Sequence, residues 1–348
     1  METSYFLGAN TASGFLSLYD GFCRGEGDYL HIVKGGPGTG KSGFMRAIGR
    51  EAVRRGMDVE YVRCSGDPAS LDGVYLPALH MGWCDGTAPH VAEPGIFGVN
   101  SDYVNLGTFC RTPLSSADTD RARALTAAYK EKYAQAYALL AAAKSTESAL
   151  APQELGEKEV LRAGAALCAL VERLPAGESP RLRRRFAGAV SCEGVLEDRS
   201  SYELCKLVYL CEDGCALAAG ALGAACEAAL ACGHRVILCL SPADGVTPDA
   251  LILPDASAAF VRAMPLSSYE HVRRIPLDRL CGDMAAVKER RRAVRAARRE
   301  GARYLSAGCE TLREAKALHD ELEAVYRPYM DFAALDALTA KEITRIFS

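Results

Sequence analysis

Apolar positions along the chain fall into two spacings, short continuous runs and longer stretches with helical periodicity. "YLHIVK" (29–34) is a compact β-prone run. "GFMRAIGREAVRRG" follows it with apolar residues at helical spacing as far as Gly56. "DVEYVRC" predicts a second strand near 58–64, and "LPALHMGWCD" supplies a third apolar run that ends at Asp85. Residues 117–150, rich in Ala, Lys, Glu and Tyr, predict a long helix, and a further helix is expected over 157–174. "PAGESP" then forms a Pro/Gly loop that places a domain boundary near residue 178. From Met284 to the end the pattern is helical again. Strands alternating with helices predict an α/β fold.

Composition narrows this picture. At 348 residues the chain exceeds what one hydrophobic core usually organises, so two domains are expected, 1–177 and 178–348. A net charge of -3 argues against wholesale binding to nucleic acid and leaves room only for a local patch. "METSYFLGANTASG" has neither the basic start nor the apolar core of a signal peptide, so a cytoplasmic location is expected. Fourteen cysteines are scattered through strand-like and helix-like runs, and they read as reduced thiols packed like small apolar residues. Cys205, Cys211 and Cys215 come nearest to a metal cluster, but their spacing matches no common zinc pattern.

The chemistry concentrates directly after the first strand. "GGPGTGKS", Gly35 to Ser42, fits G-x-x-x-x-G-K-[ST] between a strand and a helix. Glycines at 35, 36, 38 and 40, with Pro37 and Thr39 between them, let the backbone turn its N–H groups toward phosphate oxygens. The helix beginning near Lys41 points its positive end at the same anion. Lys41 is expected to neutralise the β- and γ-phosphates of ATP, and Ser42 to offer its hydroxyl to Mg²⁺. Asp85, at the end of an apolar strand, is the first choice for the second metal ligand, with Asp67 next. As a simple alternative, Asp85 forms a turn before Gly86. His90 either contacts the γ-phosphate or makes a structural hydrogen bond in its loop. Asp67, His90 and Glu93 are the candidates for orienting an attacking water. No Asn-Lys-x-Asp guanine-reading motif occurs, which favours adenine.

The same pattern recurs downstream with its chemistry removed. At a shift of 177 residues Gly56 meets Gly233, Val59 meets Val236, Asp67 meets Asp244, Asp72 meets Asp249, and Leu76-Pro77 meets Leu253-Pro254. Upstream, after a three-residue gap, "FLGANTASGF" meets "FAGAVSCEGV". In this register Lys41 becomes Ala218, Ser42 becomes Ala219, and Gly35-Gly36 becomes Glu212-Asp213. Two carboxylates there oppose phosphate by repulsion, and the neutralising lysine is gone. The Ala/Gly/Cys-rich segment 211–233 therefore reads as the helix after a degenerate loop. As a membrane span it fails, because Glu227 interrupts it and Ala and Gly supply little transfer energy.

"KGGPGTGKS", "CSGDPASLDGVYLP", "DGTAPHV", "RFAGAVSCEG" and "AKALHDELEAVYRPYMDF" together resemble an uncharacterised bacterial family of tandem P-loop ATPases, over nearly the whole chain. The resemblance implies two P-loop modules in one polypeptide. Members of that family carry a second recognisable P-loop near the position of Cys211 to Ala219, and this chain departs from that pattern. The expected fold is thus a P-loop NTPase fold of two tandem three-layer α/β modules, the second degenerate, plus long helices. The expected activity is Mg²⁺-dependent ATP binding and hydrolysis by the first module. Two alternatives stand beside it. One is a small-molecule or nucleotide kinase with Asp67 as base, and the other a nucleotide-dependent switch or scaffold that catalyses nothing. "RLRRRF" is expected to be a solvated linker face or a source of an arginine finger. Lys288, Arg291, Arg295 and Arg298 share one helical stripe, so residues 288–303 read as a solvated face or a dock for a protein or nucleic-acid partner. No partner in a membrane is expected.

Overall fold

The computed structural model describes residues 1–90, 92–150, 157–262, 272–281 and 284–348. The first half runs β1 (Glu2–Phe6), hairpin β2 (Gly8–Thr11) and β3 (Gly14–Ser17), β4 (Tyr29–Lys34), α1 (Lys41–Arg54) and β5 (Val59–Arg63). It continues through β6 (Leu71–Leu76), β7 (Met81–Asp85) and β8 (Ser101–Asn105) to the long helix α2 (Ser116–Leu150) and then α3 (Glu157–Val171). The second half runs β9 (Arg181–Phe186), hairpin β10 (Gly188–Ser191) and β11 (Gly194–Glu197), the single turn α4 (Ser200–Glu203), β12 (Leu207–Glu212) and α5 (Ala218–Ala231). Then come β13 (Arg235–Leu240), β14 (Pro248–Leu253), β15 (Ala258–Arg262), β16 (Val272–Pro276), the 43-residue helix α6 (Met284–Tyr326) and α7 (Phe332–Phe347).

Twelve of these strands form one mixed sheet in the order β16-β12-β15-β14-β13-β9-β1-β5-β6-β7-β4-β8. Its neighbours make six parallel and five antiparallel pairings. Read outward from the centre, the first half gives β1-β5-β6-β7-β4-β8 and the second β9-β13-β14-β15-β12-β16, element for element in the same sequence. The halves meet where β1 and β9 run antiparallel, with Phe6 opposite Phe186, both fully buried.

Two sequence expectations change here. "RLRRRF" is neither a linker nor a fully solvated face, because as β9 it is one of the two central strands. Arg185 is buried there, its guanidinium 4.5 Å from the Tyr5 ring centroid and donating to Ser201 Oγ at 2.8 Å. Those two contacts replace the hydration that a buried cation loses. Ahead of the apolar run that ends at Asp85 stands a strand that the sequence reading does not predict. β6 runs antiparallel between β5 and β7, and its six residues are all buried.

Helices cover the sheet with an exchange between the halves. α1 packs on the first-half sheet, and α7, from the end of the chain, lies against α1 through Leu335, Leu338 and Ile343. α5 packs on the second-half sheet, and α3, from the end of the first half, lies against it through Ala163, Leu167 and Val171. α5 is apolar nearly all round, as suits a helix sandwiched between a sheet and another helix. α2 and α6 pair antiparallel, with Lys132 Nζ 2.5 Å from Glu314 at one level and Gly308 against Leu140 at another. Among the described residues no helix is long and apolar enough to cross a membrane.

Candidate nucleotide site

The loop 35–40 joins parallel strand β4 to α1 at the carboxyl edge of the sheet, where ligands of open α/β sheets characteristically sit. Two residues of the loop need backbone angles that glycine adopts freely: Gly38 at φ 68 and Gly40, the N-cap of α1, at φ 84. These angles turn the chain back on itself, and the Thr39 hydroxyl donates to Gly36 O at 2.9 Å across the turn. A β-carbon on Gly36 would meet nothing within 4 Å, so the loop backbone is approachable there. The α1 N-terminus behind it carries no side-chain cap. Uncapped amides and the helix dipole together make an anion-binding end.

Lys41 donates to Gly35 O and Gly36 O, both at 3.0 Å, and its Nζ lies 3.6 Å from Asp85 Oδ2. Asp85 ends β7, whose partner β4 places Val33 opposite it. Its Oδ1 accepts from Thr87 N and Thr87 Oγ1, which fixes the carboxylate and leaves Oδ2 toward the lysine. Asp85 thus makes the turn with Thr87 that a simple structural role requires and faces the loop as well. Ser42 Oγ accepts from Leu71 N at 2.9 Å, which orients the hydroxyl at the start of α1. The loop Gly35, Gly36, Pro37, Gly38, Thr39 and Gly40 thus leads into Lys41, which meets Asp85, and into Ser42 at the start of α1. Carboxylate and hydroxyl oxygens are the donors Mg²⁺ prefers, so this set fits the ion.

The three candidates for orienting a water are engaged elsewhere. Asp67, after β5, accepts from Ser70 Oγ at 2.9 Å and lies 3.5 Å from Lys316 Nζ of α6. Glu93 accepts from Tyr103 OH at 2.5 Å and lies 3.5 Å from Lys34 Nζ. His90 is buried, with Nε2 3.2 Å from Asp72 Oδ2 and its ring between Phe15 and Tyr19. That pairing is with a buried carboxylate of β6 rather than with the loop 35–42.

Helices from the far end of the chain roof the loop. A β-carbon on Gly38 would lie 3.0 Å from Glu323 O of α6, and one on Gly40 would lie 2.7 Å from Leu335 of α7. No local sequence signal announces either contact.

The corresponding loop, 213–217, is built differently. Asp213, buried, accepts from Leu217 N at 2.7 Å and from Ala218 N at 3.0 Å. Its carboxylate caps α5 from within, so those two amides are already bonded. Beyond the negative charge that the sequence places here, Asp213 itself occupies the helix end. Glu212 instead pairs with Arg274 at 2.7 Å. Gly214 N donates to Asp278 Oδ2, which also holds Arg291 Nε at 2.6 Å, and Arg290 Nε donates to Cys215 O at 2.9 Å. Part of the basic stripe of α6 is thereby engaged: Arg291, half-buried, braces this loop, while Lys288, Arg295 and Arg298 are exposed. At the position corresponding to Asp85 stands Arg262. Cys211 and Cys215 are core thiols that burial pushes up to about 12.

Comparison of the chain with protein-family models, with curated proteins and with solved structures gives no match.

Proposed function

We propose that this chain is a Mg²⁺-dependent ATPase whose nucleotide site is the loop 35–42, with a second P-loop-like module that has lost its own site. One observation carries the reading: Lys41 lies 3.6 Å from Asp85 across a glycine loop that joins a parallel strand to an uncapped helix. Backbone amides of 36–40 would cradle the phosphates, and Lys41 would leave its loop carbonyls to neutralise the γ-phosphate. Mg²⁺ held by Ser42 and Asp85 would balance the charge of the transferring phosphoryl group. The two-module reading rests on the element-for-element match in strand order and on the shift of 177 residues that aligns α1 with α5. The degenerate module has a carboxylate at its helix end and an arginine where a metal ligand would stand.

A specific contact favours a regulatory use of that hydrolysis. α6 touches the first loop at Glu323 and the second at Arg290, so one helix contacts both loops. Phosphate bound at Gly38 and Gly40 would bear on α6 and α7 directly. A nucleotide-dependent switch is therefore the second reading, with the exposed arginines of residues 288–303 as the surface that meets an anionic protein or nucleic acid.

The test is calorimetric titration with ATP and Mg²⁺ alongside a phosphate-release assay. One nucleotide per chain with release of phosphate is expected. No binding would remove the proposal, and two sites per chain would remove the degenerate-module part of it.

A further inference from the structure

Cys64, Asp72 and His90 converge beside the nucleotide loop without belonging to it. Cys64 follows the end of β5, Asp72 stands at the start of antiparallel β6, and His90 lies in the loop after β7, so all three reach the carboxyl edge of the first-half sheet. One donor atom from each, a thiol sulfur, a carboxylate oxygen and an imidazole nitrogen, lies within 4.8 Å of the other two. Among the described residues this is the one such group of three.

The second half provides an internal comparison. Asp249 stands where Asp72 stands, Ser241 replaces Cys64, and Arg262 occupies the Asp85 position. Asp249 has a permanent cation, Arg262, at 2.5 Å. Asp72 is more deeply enclosed than Asp249, yet among the described residues its only ion-pair partner is His90. The half that lacks the permanent cation is the half with the thiol and the imidazole.

We infer that Cys64, Asp72 and His90 form a binding site for a thiophilic divalent cation of the zinc class, with a fourth coordination position left for solvent or substrate. Burial pushes the Cys64 thiol and the Asp72 carboxyl up, because each anion loses hydration in the enclosure, a loss that a bound cation offsets. A divalent ion bound by one thiolate and one carboxylate leaves no net charge in the enclosure. Soft sulfur and imidazole donors select zinc or cobalt over magnesium, which separates this site from Ser42 and Asp85. Three protein donors with a free position are the pattern of reactive rather than purely structural zinc sites. The outer layer is also in place: Tyr19 OH donates to Asp72 Oδ2 at 3.2 Å, and the Phe15 and Tyr19 rings hold the imidazole. Because binding displaces the thiol proton, affinity rises with pH.

The full-length protein, reduced and stripped with chelator, is titrated with Co²⁺ alone. One equivalent should generate the near-ultraviolet thiolate-to-cobalt band and the visible intensity of a tetrahedral ion, both removed by Zn²⁺. Cys64→Ser should abolish the near-ultraviolet band and weaken binding by more than ~100-fold, since a lost ligand exceeds the cost of a lost outer partner. Serine already occupies this place in the second half, so the fold accommodates it. His90→Gln is the independent variant and should lose the tetrahedral visible intensity. No thiolate band at stoichiometric cobalt would overturn the inference. So would a band of unchanged strength in Cys64→Ser, or an unchanged titration in His90→Gln. Nucleotide takes no part in the measurement, so its outcome is separate from that of the ATP titration.

Discussion

Lys41 at the end of the first loop and Asp213 at the start of the second put opposite charges beside corresponding helices. Lys41 rests on carbonyls 35 and 36, neutral acceptors whose place phosphate oxygens would take in the proposed site. Lys41→Ala should weaken ATP binding by at least ~100-fold, in line with truncation of one partner of an enclosed charge pair; unchanged affinity by calorimetry would remove the site. Asp213 is a fixed anion bonded to the α5 amides. Asp213→Ala should cost about 1–2 kcal/mol in urea unfolding, the range for loss of an N-cap. Ala218→Lys should not create a second nucleotide site, because Asp213 keeps the helix end; a second equivalent of ATP in that variant would contradict the assignment.

At the scale of elements, the helices report on how tightly each half is bound to the other. Leu335 of α7 is buried against α1 beside Gly40. Leu335→Ala should lower stability by about 2–4 kcal/mol in denaturant unfolding, as buried Leu→Ala changes do. α2 is tied to the second half by Lys144, whose Nζ lies 2.7 Å from Asp244 Oδ2. Burial alone would raise the Asp244 carboxyl, but Lys144 and the Thr247 and Val246 donors outweigh it and bring the group down to about 2. The folded value lies below the unfolded one, so this contribution is complete above the ordinary carboxylate range and fades as pH falls toward about 2. Lys144→Met should therefore move the acid-unfolding midpoint upward while converging with the parent protein at the lowest pH. Equal acid titrations followed by circular dichroism would argue against the pair.

For the molecule as a whole, the central question is whether the two halves are separable. The sheet is continuous through β1 and β9, α3 covers the helix of the second half, and α7 covers the helix of the first. α2 and α6 bury one side of each other along their length. Each half alone would expose the apolar surface that the other half's terminal helix covers, and unburied surface of that extent removes a large share of a marginal stability. Residues 1–177 or 178–348 expressed separately should lack cooperative thermal unfolding, and co-expression should recover it. Independent cooperative transitions would show that the exchange of helices is dispensable.

How much of this was legible beforehand follows from the range of the interactions involved. The glycine loop, the helix after it, the long helices and the 177-residue shift are all written in local spacing, and local spacing survives without knowledge of the fold. Asp85 was readable for the same reason, since an acidic residue ending an apolar strand is a local pattern. The six-residue strand β6 was hidden, because antiparallel insertion between β5 and β7 depends on partners and leaves no period of its own. "RLRRRF" was misleading, because arginine enters a central strand only when a particular ring and hydroxyl await it. The sequence by itself determined where a glycine loop runs into a helix and that alanine, Ala218, stands 177 residues after Lys41, because backbone conformation and side-chain charge belong to the residues themselves. Only the tertiary structure decided that Asp213 seals the second helix end, that α6 and α7 roof the first loop, and that Cys64, Asp72 and His90 meet. Each of these depends on bringing distant segments within a few ångströms, and no short-range pattern encodes that.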